Sequence, residues 1–149
     1  MSRILIVYAS VGGNTKLVVD SLVDNIFAQN PEIIVECKRA ELTTAEDLSS
    51  QNLIILASPT YGQGTLETQM SKFLKVLKPF VSTQKFAVIG LGDMQYYPEY
   101  LSEASGILVD FIIENKGIIV TNTLKIGAKP LPYIPKLVPR FAKSIVDNL

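Results

Sequence analysis

The chain has 149 residues, 48% of them hydrophobic, and its 14 basic residues balance its 14 acidic residues. This length and composition predict one packed domain over residues 1–149 and exclude a disordered chain, and the balanced charge gives no reason to expect a nucleic-acid partner. The sequence contains no histidine, the commonest general base and metal ligand, and we expect neither a catalytic residue nor a metal site.

Strands and helices are predicted in strict alternation. The apolar runs predict strands at residues 4–8, 33–35, 53–57 and 86–90, and an uninterrupted fifth strand at 118–126. The helical periodicity, with its polar starts and its Pro and Gly stops, predicts helices at 14–29, 43–47, 67–78, from Pro98 to just before Gly117, and from the Pro-rich stretch after 130 to about 147.

This order predicts a doubly wound α/β fold with a five-stranded parallel sheet. Successive parallel strands need right-handed crossovers, which place helices on both faces of the sheet. We expect the strand order 2-1-3-4-5, in which the first, third and fourth strands are neighbours. Ligands of such sheets bind beyond the carboxyl ends of the strands, where the strand order reverses, so the loops after these three strands are expected to meet at one site.

The sequence also predicts the cellular location of the protein and the state of its single cysteine. No apolar run approaches the ~20 residues of a membrane span. The first apolar run starts at once and is too short for a signal peptide, so we expect a cytoplasmic protein without a membrane partner. Cys37 cannot form an internal disulfide, and its place in a predicted strand indicates a buried, unreactive thiol.

The loop at residues 10–15 has the composition of a phosphate site. It joins an apolar strand directly to a helix, and a helix start leaves backbone N–H groups free to bind an anion. Gly12 and Gly13 allow the backbone to approach the anion closely. The pattern matches neither the dinucleotide fingerprint nor the Lys-bearing loop of nucleotide triphosphatases. The alternative is an ordinary strand-to-helix turn with Ser10 or Asn14 as the N-cap.

Tyrosines stand in the other two loops. Tyr61 adjoins Gly62 in the loop after the third strand, and Tyr96 and Tyr97 follow Asp93 in the loop after the fourth. Two tyrosines from separate loops can clamp a flat ring, and each aromatic contact adds about 0.5–1.5 kcal/mol beyond area burial. The alternative for each tyrosine is an ordinary position in a surface turn.

The charges are unevenly spread along the chain. Residues 86–115 contain five acids and no Lys or Arg, whereas residues 116–149 contain six bases and only Asp147 as an acid. This distribution indicates either solvated helix faces or an acidic surface at one edge of the fold that guides a basic partner.

In combination, the loop at 10–15, the stretch 59–64, and Gly92 and Asp93 followed by tyrosine resemble the flavodoxins, small electron-transfer proteins that carry FMN. The similarity covers essentially the whole chain and is to the short-chain type. It implies a low-potential one-electron carrier that uses noncovalently bound FMN and shuttles between semiquinone and hydroquinone. It also implies a monomer whose redox protein partners dock at an acidic flavin edge. The acids concentrated near that edge are Glu67, Asp93, Glu99 and Glu103.

The resemblance implies a role for each part of the site. The loop at 10–15 holds the phosphate, Tyr61 covers one flavin face, and Tyr97, or Tyr96 on a shorter count, covers the other. Gly62 sits where a peptide carbonyl turns to accept a hydrogen bond from flavin N5–H, and Asp93 meets the pyrimidine end of the ring. The implied binding residues are Ser10, Val11, Gly12, Gly13, Asn14, Thr15, Pro59, Thr60, Tyr61, Gly62, Gln63, Gly64, Leu91, Gly92, Asp93, Tyr96 and Tyr97.

The chain departs from its relatives at one point of the phosphate loop. Val11 and Gly12 stand where family members often have hydroxyl residues, so at least one phosphate hydrogen bond is lost.

Two other functions stay open on sequence grounds. One is a small FMN enzyme, such as a quinone reductase or a ribonucleotide-reductase activator, and steady NADPH oxidation by the protein alone would favour it. The other is a flavin-free module on the same fold, which would be colourless.

The first prediction separates the two tyrosines of the third loop. We expect Tyr97→Ala to weaken FMN binding and to raise the potential of the second electron, because the ring loses its cover on one face. Flavin fluorescence quenching and a reductive titration measure the two effects. If Tyr96→Ala has these effects and Tyr97→Ala does not, the shorter count of the loop is right.

Overall fold

The structure, a computed structural model, describes residues 2–10, 12–61, 65–92 and 103–149. These ranges contain seven strands and four α-helices, joined in places by short 3₁₀ turns. The strands are β1 Arg3–Tyr8, β2 Ile34–Arg39, β3 Leu53–Tyr61, β4 Thr65–Leu66, β5 Lys85–Leu91, β6 Ile118–Ile119 and β7 Leu124–Ile126. The helices are α1 Asn14–Gln29, α2 Thr68–Leu77, α3 Glu103–Glu114 and α4 Ile134–Asp147. Along the described part of the chain, no helix has the length and apolar character needed to cross a bilayer.

The sheet has the predicted order. β2, β1, β3, β5 and β6 lie side by side, all neighbours are parallel, and β7 also pairs with β5. β5 is the predicted fourth strand, because the short β4 is an antiparallel addition to the end of β3. The predicted doubly wound sheet of order 2-1-3-4-5 is therefore confirmed.

The helices bury both faces of the sheet. Along β1, Ile6 belongs to an apolar cluster that includes Leu22 of α1, whereas Leu5 belongs to a second cluster that includes Phe73 of α2. Successive side chains of a strand point to opposite faces, so a strand covered on both sides has to be apolar throughout. This is why the central strands appear in the sequence as continuous apolar runs.

The third strand is longer than its apolar run. β3 continues from the predicted end at Ala57 as far as Tyr61, because its last residues have partners on both sides. Pro59 pairs with Leu91 of β5, and Tyr61 pairs with Thr65 of β4. Much of the stretch predicted as a loop is therefore sheet, and residues 62–64 lie outside the described residues.

The prediction of an uninterrupted fifth strand was wrong. It consists of β6 and β7, and residues 120–123 between them are not strand, although the Val120 N–H still donates to the Phe86 carbonyl at 3.0 Å. The polar residues at 121–123 interrupt the apolar run, and the hydroxyl of Thr121 hydrogen-bonds to that of Ser144 on α4. The segment is thus bonded to a helix instead of continuing the strand.

The residue that takes the left-handed position after α3 is Lys116, and not the predicted Gly117. Lys116, with φ of 67°, takes the left-handed position after the helix, and its N–H donates to the Ile113 carbonyl at 3.0 Å. The N–H of Gly117 donates to the Ile112 carbonyl at 2.8 Å, which completes the helix-ending motif. Gly117 is required for space, because a Cβ there would lie 2.6 Å from Cγ2 of Ile112. The predicted start at Pro98 lies outside the described residues.

The prediction of a buried Cys37 was also wrong. The residue is exposed on β2, which is the edge strand of the sheet. Desolvation by the surrounding groups nevertheless raises the pKa of its thiol to about 11, and the charge of Asp20 adds to the rise. The thiol therefore stays protonated at neutral pH, where a thiol is a poor nucleophile.

Two glycines give a matched test of how α3 packs on the sheet. A Cβ on Gly90 of β5 would lie 2.6 Å from Cβ of Ser105, so we expect Gly90→Ala to lower the free energy of unfolding by about 1–3 kcal/mol through overpacking. On Gly106, the next residue of α3, a Cβ meets no atom within 4 Å, so Gly106→Ala should raise the free energy of unfolding by about 0.5–1 kcal/mol. Urea unfolding measures both, and equal effects would contradict the packing described.

Candidate functional site

Those predicted site residues that the structure describes lie where three neighbouring strands end. Tyr8 of β1 pairs with Ala57 of β3, and Pro59 of β3 pairs with Leu91 of β5, so the three loops leave the same edge of the sheet. The structure describes Ser10, Gly12, Gly13, Asn14, Thr15, Pro59, Thr60, Tyr61, Leu91 and Gly92. The other predicted residues lie outside the described ranges: Val11, Gly62, Gln63, Gly64, Asp93, Tyr96 and Tyr97.

Two glycines form the turn between β1 and α1. Gly12 has φ of 77° and Gly13 has φ of 90°, a backbone region that glycine enters without steric cost. A Cβ on either residue would meet no atom within 4 Å, so open space lies beside both. Gly13 is the N-cap of α1, and its carbonyl accepts the N–H of Leu17 at 3.1 Å. The alternative in which Ser10 or Asn14 caps the helix was therefore wrong.

The start of α1 leaves donors for an anion. Gly13 has no side chain to cap the helix, and within the described ranges the N–H groups of Asn14 and Thr15 have no acceptor. The hydroxyl of Ser10 accepts the N–H of Lys16 at 3.4 Å, which is a long hydrogen bond. Unpaired N–H groups at a helix start, together with the helix dipole, favour a negatively charged ligand.

Thr15 adds a buried hydroxyl to this turn. Its side chain is 1% exposed, and among the described residues its hydroxyl has no hydrogen-bond partner. A buried polar group without a partner is costly, and a ligand oxygen can satisfy it. With the open space at the two glycines and the free helix N–H groups, the described residues fit a phosphate group.

Two contacts hold the turn in place. The side-chain amide of Asn14 donates to the carbonyl of Ala128 at 2.8 Å, which ties the turn to the segment before α4. The guanidinium Nη2 of Arg39, the last residue of β2, donates to the carbonyl of Ser10 at 2.9 Å. Sequence reasoning missed Arg39, and its only signal is its place at the end of the strand next to β1.

The second loop is anchored by the sheet. Thr60 is buried, and its hydroxyl accepts the N–H of Ala104 at 3.1 Å, so it satisfies a free donor in the first turn of α3. Tyr61 is half-buried, and its carbonyl accepts the hydroxyl of Thr65 at 2.9 Å. Desolvation, and then the charge of Glu67, raise the pKa of the Tyr61 phenol, which keeps the side chain neutral.

The third loop leaves from a buried strand end. Leu91 and Gly92 are both buried, and the N–H of Gly92 donates to the Ile126 carbonyl at 3.0 Å. Gly92 can offer a ligand only backbone atoms. Of the acids predicted at this edge, Glu67 is instead buried and caps α2 by accepting the N–H of Met70 at 2.9 Å. Glu67 is near enough to Tyr61 for its charge to raise the pKa of that phenol, but because it is buried it adds nothing to an acidic surface, whereas Glu103 is exposed at the start of α3.

Comparison with known proteins gives a consistent picture. A family model described as Flavodoxin matches residues 6–135. The protein called probable flavodoxin 1 of Bacillus subtilis is 28% identical over 131 residues, which cover 87% of this chain and 80% of the relative. The crystal structure of oxidised flavodoxin 2 from Bacillus cereus is 30% identical, with a TM-score of 0.86, and the match covers 99% of this chain and 100% of that chain.

A more distant structure shares the fold. The crystal structure of a Fusobacterium nucleatum flavodoxin bound to flavin mononucleotide has a TM-score of 0.82 and is 18% identical, and the match covers 99% of this chain and 98% of that chain. At this identity the likeness concerns the fold alone.

The buried hydroxyl in the turn can be tested by an isosteric change. We expect Thr15→Val to weaken FMN binding about tenfold, because a hydrogen bond to a charged oxygen is lost and the packing volume is kept. Binding of riboflavin, which lacks the phosphate, should not change. The control is Thr68→Val at the exposed start of α2. Equal losses for FMN and riboflavin, measured by fluorescence quenching, would place the hydroxyl outside the phosphate site.

Proposed function

The chain belongs to the flavodoxin family, and on that premise we propose that it carries single electrons at low potential on noncovalently bound FMN. Members of this family are FMN-binding electron carriers and not enzymes. Membership therefore favours the carrier over the FMN-dependent reductase and the flavin-free module that the sequence left open. The finer proposals concern which residues hold the cofactor, how they set its potential and where the redox partners bind.

The glycine turn between β1 and α1 is the observation that carries the proposal. Open space at Gly12 and Gly13, free N–H groups at the start of α1 and the buried hydroxyl of Thr15 together suit an anion that approaches the backbone closely. We propose that the FMN phosphate binds here. The side chain of Asn14 bonds to Ala128, so its part is to hold the turn, and its backbone N–H faces the phosphate group.

The flavin ring is proposed to lie against Tyr61, beside the ends of β3 and β5. The phenol of Tyr61 is neutral at neutral pH, and desolvation raises its pKa further, so it offers a flat surface without charge. Pro59, Leu91 and Gly92 belong to the strand ends beside it. The roles of Val11, Gly62, Gln63, Gly64, Asp93, Tyr96 and Tyr97 stay predictions.

FMN, when bound, supplies the one-electron redox chemistry. The chain sets the potential through what surrounds the ring. Additional negative charge on the flavin is disfavoured by the half-buried, neutral phenol of Tyr61, by the apolar strand ends and by the nearby carboxylate of Glu67. If the doubly reduced cofactor binds a thousandfold more weakly than the singly reduced one, the potential of the second electron falls by roughly 180 mV, at about 59 mV per decade.

Family membership implies redox protein partners, and we propose that they dock along an acidic surface on α3. Glu103, Asp110 and Glu114 are spaced seven and four residues apart, so they share one side of the helix, and all three are exposed. Among the described residues none of them forms an ion pair. Unpaired surface carboxylates speed association with a basic partner. The monomeric state and the cytoplasmic location stay predictions.

A reductive titration tests the proposal. The purified protein should bind FMN and take up two electrons in separate one-electron steps, and the second step should lie well below the potential of free FMN. Visible spectra recorded against a set of redox dyes measure both potentials. NADPH alone should not be consumed steadily. Failure to bind FMN, or reduction in a single two-electron step, would contradict the proposed function.

A further inference from the structure

Arg39 contacts the phosphate loop from outside it. It is the last residue of β2, lies in register with Tyr8 of β1, and is 29 residues away in sequence from the Ser10 carbonyl that it binds at 2.9 Å. The loop residues between Ser10 and Thr15 include no Lys or Arg. Arg39 therefore brings a positive charge to a loop that has none of its own.

Three contacts fix the guanidinium, and each uses a different part of it. Nη2 donates to the Ser10 carbonyl, Nε donates to a carboxylate oxygen of Glu41 at 3.3 Å, and the Cζ atom lies 5.6 Å from the centre of the Tyr8 ring. A planar guanidinium held at two donors and stacked on a ring has little rotational freedom. The side chain thus joins β2 to the end of β1 in one fixed position.

The bond from Arg39 fixes the position of Ser10, the first residue of the loop. A carbonyl oxygen that faced the anion would oppose its binding, and the bond to Arg39 holds the Ser10 carbonyl at β2. The hydroxyl of the same residue accepts the N–H of Lys16 in α1. Ser10 is therefore fixed on one side by the edge strand and on the other by the helix, and the glycine turn starts from this fixed point.

We propose that Arg39 is a positioning residue for the FMN phosphate, which it serves by fixing the Ser10 carbonyl and by adding positive charge beside the loop. The inference rests on the proposed function, because it requires that FMN binds in the glycine turn.

The competing role is a structural one, in which Arg39 only joins β2 to β1. The two roles differ in what they do to a ligand without a phosphate. A purely structural loss disturbs the whole edge of the sheet and weakens FMN and riboflavin alike. A loss of phosphate positioning weakens FMN and leaves riboflavin unchanged.

The test compares Arg39→Met, Arg39→Lys and the control Lys38→Met. Lys38 is the preceding residue of β2, and its ammonium binds Asp47 at 2.6 Å, so its removal takes away the same charge without touching the loop. We expect Arg39→Met to raise the dissociation constant for FMN about tenfold, the typical effect of losing a hydrogen bond to a charged group. Arg39→Lys keeps the charge and loses the fork, so its effect should be about threefold.

The measurements are fluorescence titrations of the flavin-free protein with FMN and with riboflavin at several salt concentrations. Riboflavin binding should be unchanged in all three variants, and FMN binding by Arg39→Met should depend less on salt, because a charge beside the phosphate is gone. The inference is overturned if Arg39→Met binds FMN as the unaltered protein does, or if FMN and riboflavin weaken equally. If the unaltered protein binds riboflavin but gains nothing from the phosphate, the phosphate site itself is wrong. If it binds neither flavin, the proposed function fails as a whole.

Discussion

The glycine turn between β1 and α1 is the constraint on which the site depends. β1 ends at Tyr8 and α1 begins at Asn14, and in this short distance the chain must leave the sheet and start a helix whose first N–H groups stay free. Gly12 and Gly13 do this with two successive left-handed residues, a conformation that costs roughly 1–2 kcal/mol for a residue with a side chain. A capping side chain at this point would fill the space and take the donors that an anion needs. Without such a side chain, the first N–H groups of α1 are left uncapped.

The rest of the fold keeps this turn in place. Parallel pairing in register fixes the ends of β1, β3 and β5 at one edge, and α1 and α4 pack against each other on one face of the sheet. The side-chain amide of Asn14 bonds to the segment before α4. Arg39, on β2 beside β1, bonds to the carbonyl of Ser10, the first residue of the loop. The two contacts join residues that are 114 and 29 positions apart in the sequence. A preorganised anion site of this kind needs the whole sheet to be folded before any of its donors point the right way.

The sequence predicted those features that depend on local pattern and missed those that depend on distant partners. The α1 bounds follow from periodicity and the parallel sheet follows from alternation, and both are confirmed. The extension of β3 past Ala57 depends on its pairing with β4 and β5, so local pattern could not predict it. The break in the fifth strand coincides with the polar residues 121–123, and the hydroxyl of Thr121 hydrogen-bonds to that of Ser144 on α4. Burial was misjudged for the same reason, because Cys37 lies on an edge strand and Glu67 turns inward to cap α2. In the site, the glycines were visible in the sequence, and Arg39 was not.

The charges show why a nearby base in the sequence is a poor guide to an anion site. Lys16 lies in the first turn of α1, just after the glycine turn. Its ammonium nevertheless binds the carboxylate of Asp20, one helical turn further along, at 2.8 Å, and this ion pair offsets its charge. Arg39 is also paired, with Glu41, but its fork has a second donor that reaches the loop, so one side chain serves both contacts. In the described part of α3, by contrast, Glu103, Asp110 and Glu114 are exposed and form no ion pair. A chain of zero net charge can therefore place a positive charge beside the glycine turn and carboxylates on α3, because position in the fold, and not total charge, sets the local field.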